Sequence, residues 1–362
     1  MRIVVDVTPL SLPRTGIGNY VRGMLAGLAE AADGRHELVA FGPTGVRGRP
    51  RIAASLAEVP VQKRLWTLPG AYYWRALWSR AQMPPVERLL GRLDVFHFSE
   101  WMYPPQRAGV RATTVHDLFP LRFPDLVHPR TLRMHSAKLR NAVETCDVMF
   151  ANSEFTANEV ADLTSYPRER VRIAQPGIDP RFRPDGPRAD LGSPYLLAVS
   201  TLEPRKNLEG LLAAFALLRP RRPELVLAVA GAAPPRGTPG SAPPQPEGVQ
   251  LLGYVADEEL ARLYRGAAAS VYPSLFEGFG IPIVEALACG APVVASSHAS
   301  LDEASGEAAF RADPMDPEAL AEAIEQALAG GGSRREAGLR HASRFTWRAC
   351  GEAVLRGYES VL

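Results

Sequence analysis

A chain of 362 residues is too long for one ordinary domain, and the length predicts two domains of about 170 residues each. Hydrophobic residues at 46% and charged residues at 22% fit a soluble globular enzyme. The 41 basic and 39 acidic side chains leave a net charge of +2, which excludes wholesale nucleic-acid binding because that needs a strongly basic face.

The first strand is predicted at residues 3–7, followed by a Pro- and Gly-rich loop at 8–16. A helix follows over 19–31, with Val21, Met24, Leu25 and Leu28 on one face. Further strands are predicted at 37–41, 94–98, 112–116 and 148–152. Residues 64–92 interleave Trp66, Tyr72, Tyr73, Trp74 and Trp78 with arginines. The spacing predicts an amphipathic helix packing its aromatics inward; contact with a membrane surface or a lipid-linked acceptor is the alternative. Pro and Gly density at 175–187 marks a linker.

Beyond it the strands are predicted at 195–199, 225–230, 250–252, 269–272 and 292–295. Helices are predicted at 207–218, 258–267, 282–289, 317–329 and about 347–362, and residues 232–248 read as a low-complexity surface loop. Short strands alternating with helices mean parallel α/β architecture, with ligands bound outside the carboxyl ends of the strands. The expected division is 1–177, joined by a C-terminal helix at 345–362, and 178–344. The fold class is α/β, two Rossmann-like parallel-sheet domains facing across a cleft.

Four segments carry chemistry. The first is PSLFEGFGIPIVEALACGAPVVAS, residues 273–296: strand, Gly-rich turn, helix, strand. Pro282 suits a helix start, where the first amides have no partner within the helix. The amides of Gly278, Phe279, Gly280 and Ile281, with the positive end of the helix dipole, suit an anion or sugar hydroxyls. Glu285 lies about one turn in, within reach of a ribose. The second is VSTLEPRKNLEGLLAAF, where a strand ends at Ser200 and a loop carries Arg205 and Lys206 into a helix. Two cations at a helix start are unfavourable for that helix, and a bound dianion would explain them. Lys206 is one of only three lysines, with Lys63 and Lys138; every other basic residue is arginine, as a GC-rich genome would give. The third, TTVHDLFPL, places His116 and Asp117 after a strand. The fourth, Thr15 to Tyr20, contains Gly16 and Gly18, but the third glycine of a dinucleotide fingerprint is replaced by Val21. Among weaker signals, Ser153 reads as a helix cap, and Glu100, Trp101 and Tyr103 are candidates to face an acceptor.

Residues 273–296 resemble the acidic signature of family 4 retaining glycosyltransferases, which have the GT-B fold. The resemblance is strong over 195–325, moderate over 2–31 and 94–160, and weak over 46–85. It implies that Glu285 binds the ribose of a sugar nucleotide, and that Glu277 and the amides of Phe279 and Gly280 lie at the donor sugar. Arg205 and Lys206 would grip the diphosphate, and His116 would contact the transferred sugar. The Gly16–Gly18 loop would approach the diphosphate and acceptor, and Asp117 would orient backbone or acceptor. The texture is closest to bacterial mannosyltransferases that build surface polysaccharide. The implied partners are a nucleotide sugar donor, GDP-mannose first, and a saccharide or lipid-linked acceptor. An epimerase or sugar-phosphate synthase of the same architecture, or a non-catalytic sugar-nucleotide binder, are the rival readings.

No cofactor beyond the nucleoside diphosphate sugar is expected. The chain lacks Asp-x-Asp, and its histidines lack ligand spacing, so the expectation is metal-independent chemistry. Cys146, Cys289 and Cys350 are widely spaced, as in a reducing compartment. Asp6 interrupts what a signal peptide would keep apolar, and no apolar run reaches about 18 residues. The expected location is cytoplasmic, with a peripheral position on the inner face of the membrane as the variant.

Overall fold

The computed structural model describes residues 1–13, 15–100, 102–201, 203–231, 246–330 and 332–362. Trp101 and most of the predicted 232–248 loop lie outside the described residues. The chain divides into two compact units, Met1–Gly177 with Thr346–Leu362, and Ile178–Phe345.

The first unit runs β1 (Arg2–Asp6), α1 (Gly16–Ala32), β2 (Glu37–Thr44), α2 (Gly48–Ser55), β3 (Gln62–Thr67), α3 (Ala71–Ala81) and α4 (Val86–Leu90). It continues with β4 (Val95–Phe98), β5 (Val110–Val115), α5 (Phe119–Arg122), α6 (Pro129–Thr145), β6 (Val148–Ala151), α7 (Glu154–Leu163) and β7 (Val171–Ile173). The second unit opens with β8 (Tyr195–Val199), α8 (Leu208–Leu218), β9 (Val226–Ala230), β10 (Val249–Gly253), α9 (Asp257–Gly266) and β11 (Ala269–Tyr272). It closes with α10 (Ile281–Ala288), β12 (Val293–Ser296), α11 (Asp302–Ser305), β13 (Phe310–Ala312), α12 (Pro317–Leu328) and α13 (Gly332–Ala342). The last helix, α14 (Trp347–Glu359), belongs to the first unit.

Each unit holds one sheet, ordered β3-β2-β1-β4-β5-β6-β7 in the first and β10-β9-β8-β11-β12-β13 in the second. The strand pairs run parallel throughout. Most strands are buried on both faces, which is why their sequences are continuous Val, Leu and Ala runs rather than alternating ones. The strand order reverses between β1 and β4, and again between β8 and β11. Loops leaving the carboxyl ends of those strands diverge and open a crevice, the usual ligand position in such sheets.

The helices follow local rules. Thr15 caps α1 by accepting from the Gly18 amide at 3.0 Å, and Ser153 caps α7 by accepting from the Thr156 amide at 3.0 Å. Tyr20, Met24, Leu25 and Leu28 of α1 face the core. Helix α1 crosses α14 almost in backbone contact. A Cβ on Gly27 would sit 1.7 Å from the Trp347 carbonyl oxygen, and one on Gly351 would sit 2.1 Å from the Gly27 carbonyl carbon.

Two expectations change. Helix α6 is absent from the pattern reading because its inward face carries Lys138 beside Leu139 and Ala142, and a buried cation interrupts the apolar period. The aromatic stretch does form a helix, α3, but not all its aromatics turn inward. Tyr73 is 75% exposed and Trp74 57% exposed, while Trp78 packs edge-on against Phe41.

Candidate active site: a buried carboxylate gripped by two cations

In the second unit the crevice between β8 and β11 gathers the predicted residues. After β8, Ser200 donates its amide to Ala230 at 2.9 Å, and the chain makes a 3-10 turn over Pro204–Lys206. Asn207, at φ 53°, then caps α8 by accepting from the Gly210 amide. Arg205 and Lys206 therefore lie outside the helix rather than in its first turn. Both cations stand immediately before the start of α8, and acidic side chains offset them there.

Glu277 is the centre of that compensation. Lys206 Nζ donates to its Oε1 at 2.5 Å, Arg205 Nη1 to its Oε2 at 2.7 Å, and the Tyr272 hydroxyl to its Oε1 at 3.0 Å. Its own amide donates to Ser300 Oγ at 3.1 Å, which fixes the turn. Arg205 also meets Glu203 at 3.0 Å, and Lys206 donates to the Tyr272 hydroxyl at 2.9 Å. Burial alone would raise the Glu277 carboxyl, but Lys206 and Arg205 outweigh it and hold it at about 2. Burial would lower the Lys206 ammonium, and the Glu277 charge instead pushes it up. Burial, reinforced by Glu277, pushes the Tyr272 hydroxyl up to about 12. Glu277 and Lys206 are thus charged throughout the physiological range, and Tyr272 is neutral. Lys206, Ser200, Tyr272 and Ser274 line one small cavity of about 10 Å³, and the buried Ser274 hydroxyl has no partner among the described residues.

The turn after Glu277 prepares α10. Gly278, Phe279 and Gly280 are buried, and Gly280 adopts φ 100°. A Cβ there would meet Leu301 Cδ2 at 2.7 Å, so glycine serves both the backbone and the packing. Helix α10 starts at Ile281 with Pro282 in its first turn. Glu285, half-buried, follows one turn later, 3.4 Å from the Tyr264 hydroxyl.

In the first unit the crevice between β1 and β4 carries a second cluster. His116 follows β5 and is half-buried, with Tyr20 edge-on at 4.9 Å and Asn152 Nδ2 3.3 Å from its Nδ1. Burial lowers His116 to about 4; Glu100 opposes this and Lys138 adds to it. The ring is neutral at neutral pH and can give or take one hydrogen bond.

The other predicted residues separate by role. Glu100, 8% exposed, turns inward and accepts from Lys138 at 2.7 Å, with His135 Nδ1 at 3.5 Å from its other oxygen. A buried ammonium holds it in this position. Burial would raise its carboxyl, and Lys138 and His135 hold it at about 2 instead. Tyr103 packs against the core, and Asp117 accepts from the Phe119 amide at 3.1 Å. The Gly18 amide is engaged by Thr15, whereas the space beside Gly16 is open. The residues not anticipated are Tyr272, Ser300, Lys138, His135 and Asn152. Only Lys138 carried a signal, its rarity as a lysine. Among the described residues, no three His, Cys, Asp or Glu side chains converge as a metal centre would need, and no helix is long and apolar enough to cross a membrane.

Residues 14–182 match the family described as Glycosyltransferase Family 4, and residues 182–341 match Glycosyl transferases group 1. The O-antigen chain mannosyltransferase B of Escherichia coli is 31% identical over 392 aligned residues, covering 99% of this chain and 100% of that one. The serotype-specific mannosyltransferase WbdA of Escherichia coli is 28% identical over 68% of this chain and 33% of its own length. Among solved structures, sucrose-phosphate synthase from Thermosynechococcus elongatus superposes with a TM-score of 0.71 at 19% identity, covering 99% of this chain and 98% of that one. Anabaena Alr3699/HepE, in complex with UDP and glucose, gives 0.69 at 18% identity, covering 99% and 100%. These structures share the fold; the near-full-length relative and the two matched segments carry the family. The chain belongs to glycosyltransferase family 4 and is a glycosyltransferase of the GT-B fold.

Proposed function

We propose that the chain transfers a hexose, mannose from GDP-mannose in the first instance, to a saccharide or lipid-linked acceptor, with retention of configuration and without a metal ion. The observation that carries the reading is the Lys206–Glu277–Arg205 cluster at the crevice of the second sheet, with Glu277 eight residues before Glu285. Support for the sugar comes from the two mannosyltransferases named above. As the glycosidic bond breaks, negative charge grows on the leaving diphosphate. Cations already fixed in place stabilise that charge more in the transition state than in the ground state. Arg205 and Lys206 supply this, and Glu277 holds both ready. Both Glu277 oxygens accept from these groups, which argues for a positioning role over a nucleophilic one. Attack from the same face as departure then accounts for retention. Glu285 is assigned the ribose, with Phe279 and Gly280 amides at the sugar. His116, neutral at neutral pH, is assigned a hydrogen bond to a sugar hydroxyl.

The test is a thermal-shift panel of GDP-, UDP- and ADP-sugars, because a ligand bound by the native state raises the melting temperature. A shift with GDP-mannose supports the reading; no shift with any nucleotide sugar overturns the donor site. Product analysis with and without acceptor then separates transfer from epimerisation.

A further inference from the structure

His116 and Asn152 leave neighbouring strands side by side. β5 pairs with β6 in parallel, Val115 opposite Ala151, so the next residue of each strand stands at the same carboxyl edge. Asn152 is 7% exposed and is held between β6 and the Ser153 cap of α7. Its Nδ2 lies 3.3 Å from His116 Nδ1 and 3.3 Å from the His116 carbonyl oxygen. The carbonyl decides which way the amide faces. A carbonyl oxygen only accepts, so the amide presents its NH2 there; the reverse orientation would set two acceptor oxygens against each other. The NH2 has two hydrogens, one for each neighbour, and His116 Nδ1 is therefore an acceptor. Asn152 keeps this orientation although its Oδ1 is buried with no partner among the described residues, an arrangement that buried amides normally avoid.

Burial keeps the ring neutral, and a neutral imidazole whose Nδ1 accepts carries its one hydrogen on Nε2. Other groups surround the ring without choosing between its nitrogens. Tyr20 of α1 meets it edge-on at 4.9 Å. Glu100 after β4, His97 of β4, and Lys138 and His135 of α6 act on it through charge. Among the described residues Asn152 is the ring's one hydrogen-bond partner. Nε2 lies on the side of the ring away from that amide, and the half-buried ring leaves it to a ligand.

We propose that Asn152 is a positioning residue for the transfer reaction: it fixes His116 as an Nε2–H donor, so that the histidine meets an oxygen of the sugar by giving a hydrogen bond and not as a base that withdraws a proton. The proposal rests on the assignment of His116 to the sugar and adds the direction of that hydrogen bond and the residue that sets it.

The test is long-range proton–nitrogen NMR of the full chain labelled with nitrogen-15 histidine, without substrate and at a pH where the ring is neutral. The His116 signals are identified by their loss in His116→Asn. In the wild type the hydrogen is expected on Nε2, with Nδ1 bare. Asn152→Asp keeps the side-chain shape but offers only acceptors. It should move the hydrogen to Nδ1 and lower kcat/KM for transfer at least about tenfold, with circular dichroism unchanged. An asparagine with a merely structural role would leave the tautomer alone. A wild type with the hydrogen on Nδ1 overturns the proposal, whether or not the variant folds. So does Asn152→Asp that keeps the hydrogen on Nε2, or that moves it with kcat/KM unchanged. The spectrum needs no nucleotide sugar, so its outcome is separate from that of the thermal-shift panel, on which the donor reading stands or falls.

Discussion

Lys138 Nζ stands 2.7 Å from Glu100 Oε1 and 2.9 Å from the carbonyl oxygen of Thr114, and both side chains are buried. One ammonium therefore ties α6 to the loop after β4 and to β5, two residues before His116. A buried pair of this kind costs desolvation that its Coulomb attraction only partly returns, and removing one partner strands the other charge. Lys138→Met is expected to lower stability by about 3–5 kcal/mol. Lys138→Met combined with Glu100→Leu should recover most of that loss. Urea midpoints of the two single variants and the double variant measure it; a double variant as unstable as the sum of the singles would contradict the assignment.

The same cluster gives a pH dependence with a defined sign. His116 and His97 have their pKa values lowered from 6.5 to about 4 and about 3, burial being the largest cause in each. Between those values and 6.5 the unfolded chain binds protons that the folded chain does not, so stability falls as pH falls below 6.5. Glu100 and Glu277, lowered from 4.5 to about 2, add a second loss as pH drops below 4.5. Urea unfolding across this range should steepen in two stages, and His116→Asn should reduce the first.

Lys206→Ala is expected to cut turnover by at least about a hundredfold, the scale of removing one preorganised donor to a developing anion. Glu277→Gln should also slow turnover, through loss of the anchor for both cations, while leaving circular dichroism unchanged. Near-normal turnover in Lys206→Ala, with the fold intact, would sink the proposed role.

Gly280→Ala forces φ 100° on a residue with a Cβ and drives that Cβ against Leu301. The expected cost is about 1–3 kcal/mol, read from a denaturant curve.

Much of this was legible beforehand because the sheet strands are short continuous apolar runs and the turn at residues 273–281 has few alternative readings. β8 and β11 fall on the predicted 195–199 and 269–272. What escaped did so for physical reasons. Edge strand β3, QKRLWT, is mostly exposed and offers no apolar run. Helix α6 hides its inward face behind Lys138. The Glu277 grip joins residues 71 and 72 apart in sequence, a pairing that no local pattern encodes.

The place of α14 bears on how the protein is made. The second unit is one unbroken stretch, and its ends are joined by the Ile178 amide donating to the Phe345 carbonyl at 3.2 Å. The first unit lacks its last helix until residues 347–359 exist, and the Gly27–Gly351 crossing leaves no substitute for that helix. During translation the usual order, first domain first, is reversed. The second unit can finish folding on the ribosome while the first waits, with Tyr20 still uncovered, for residues 347–359.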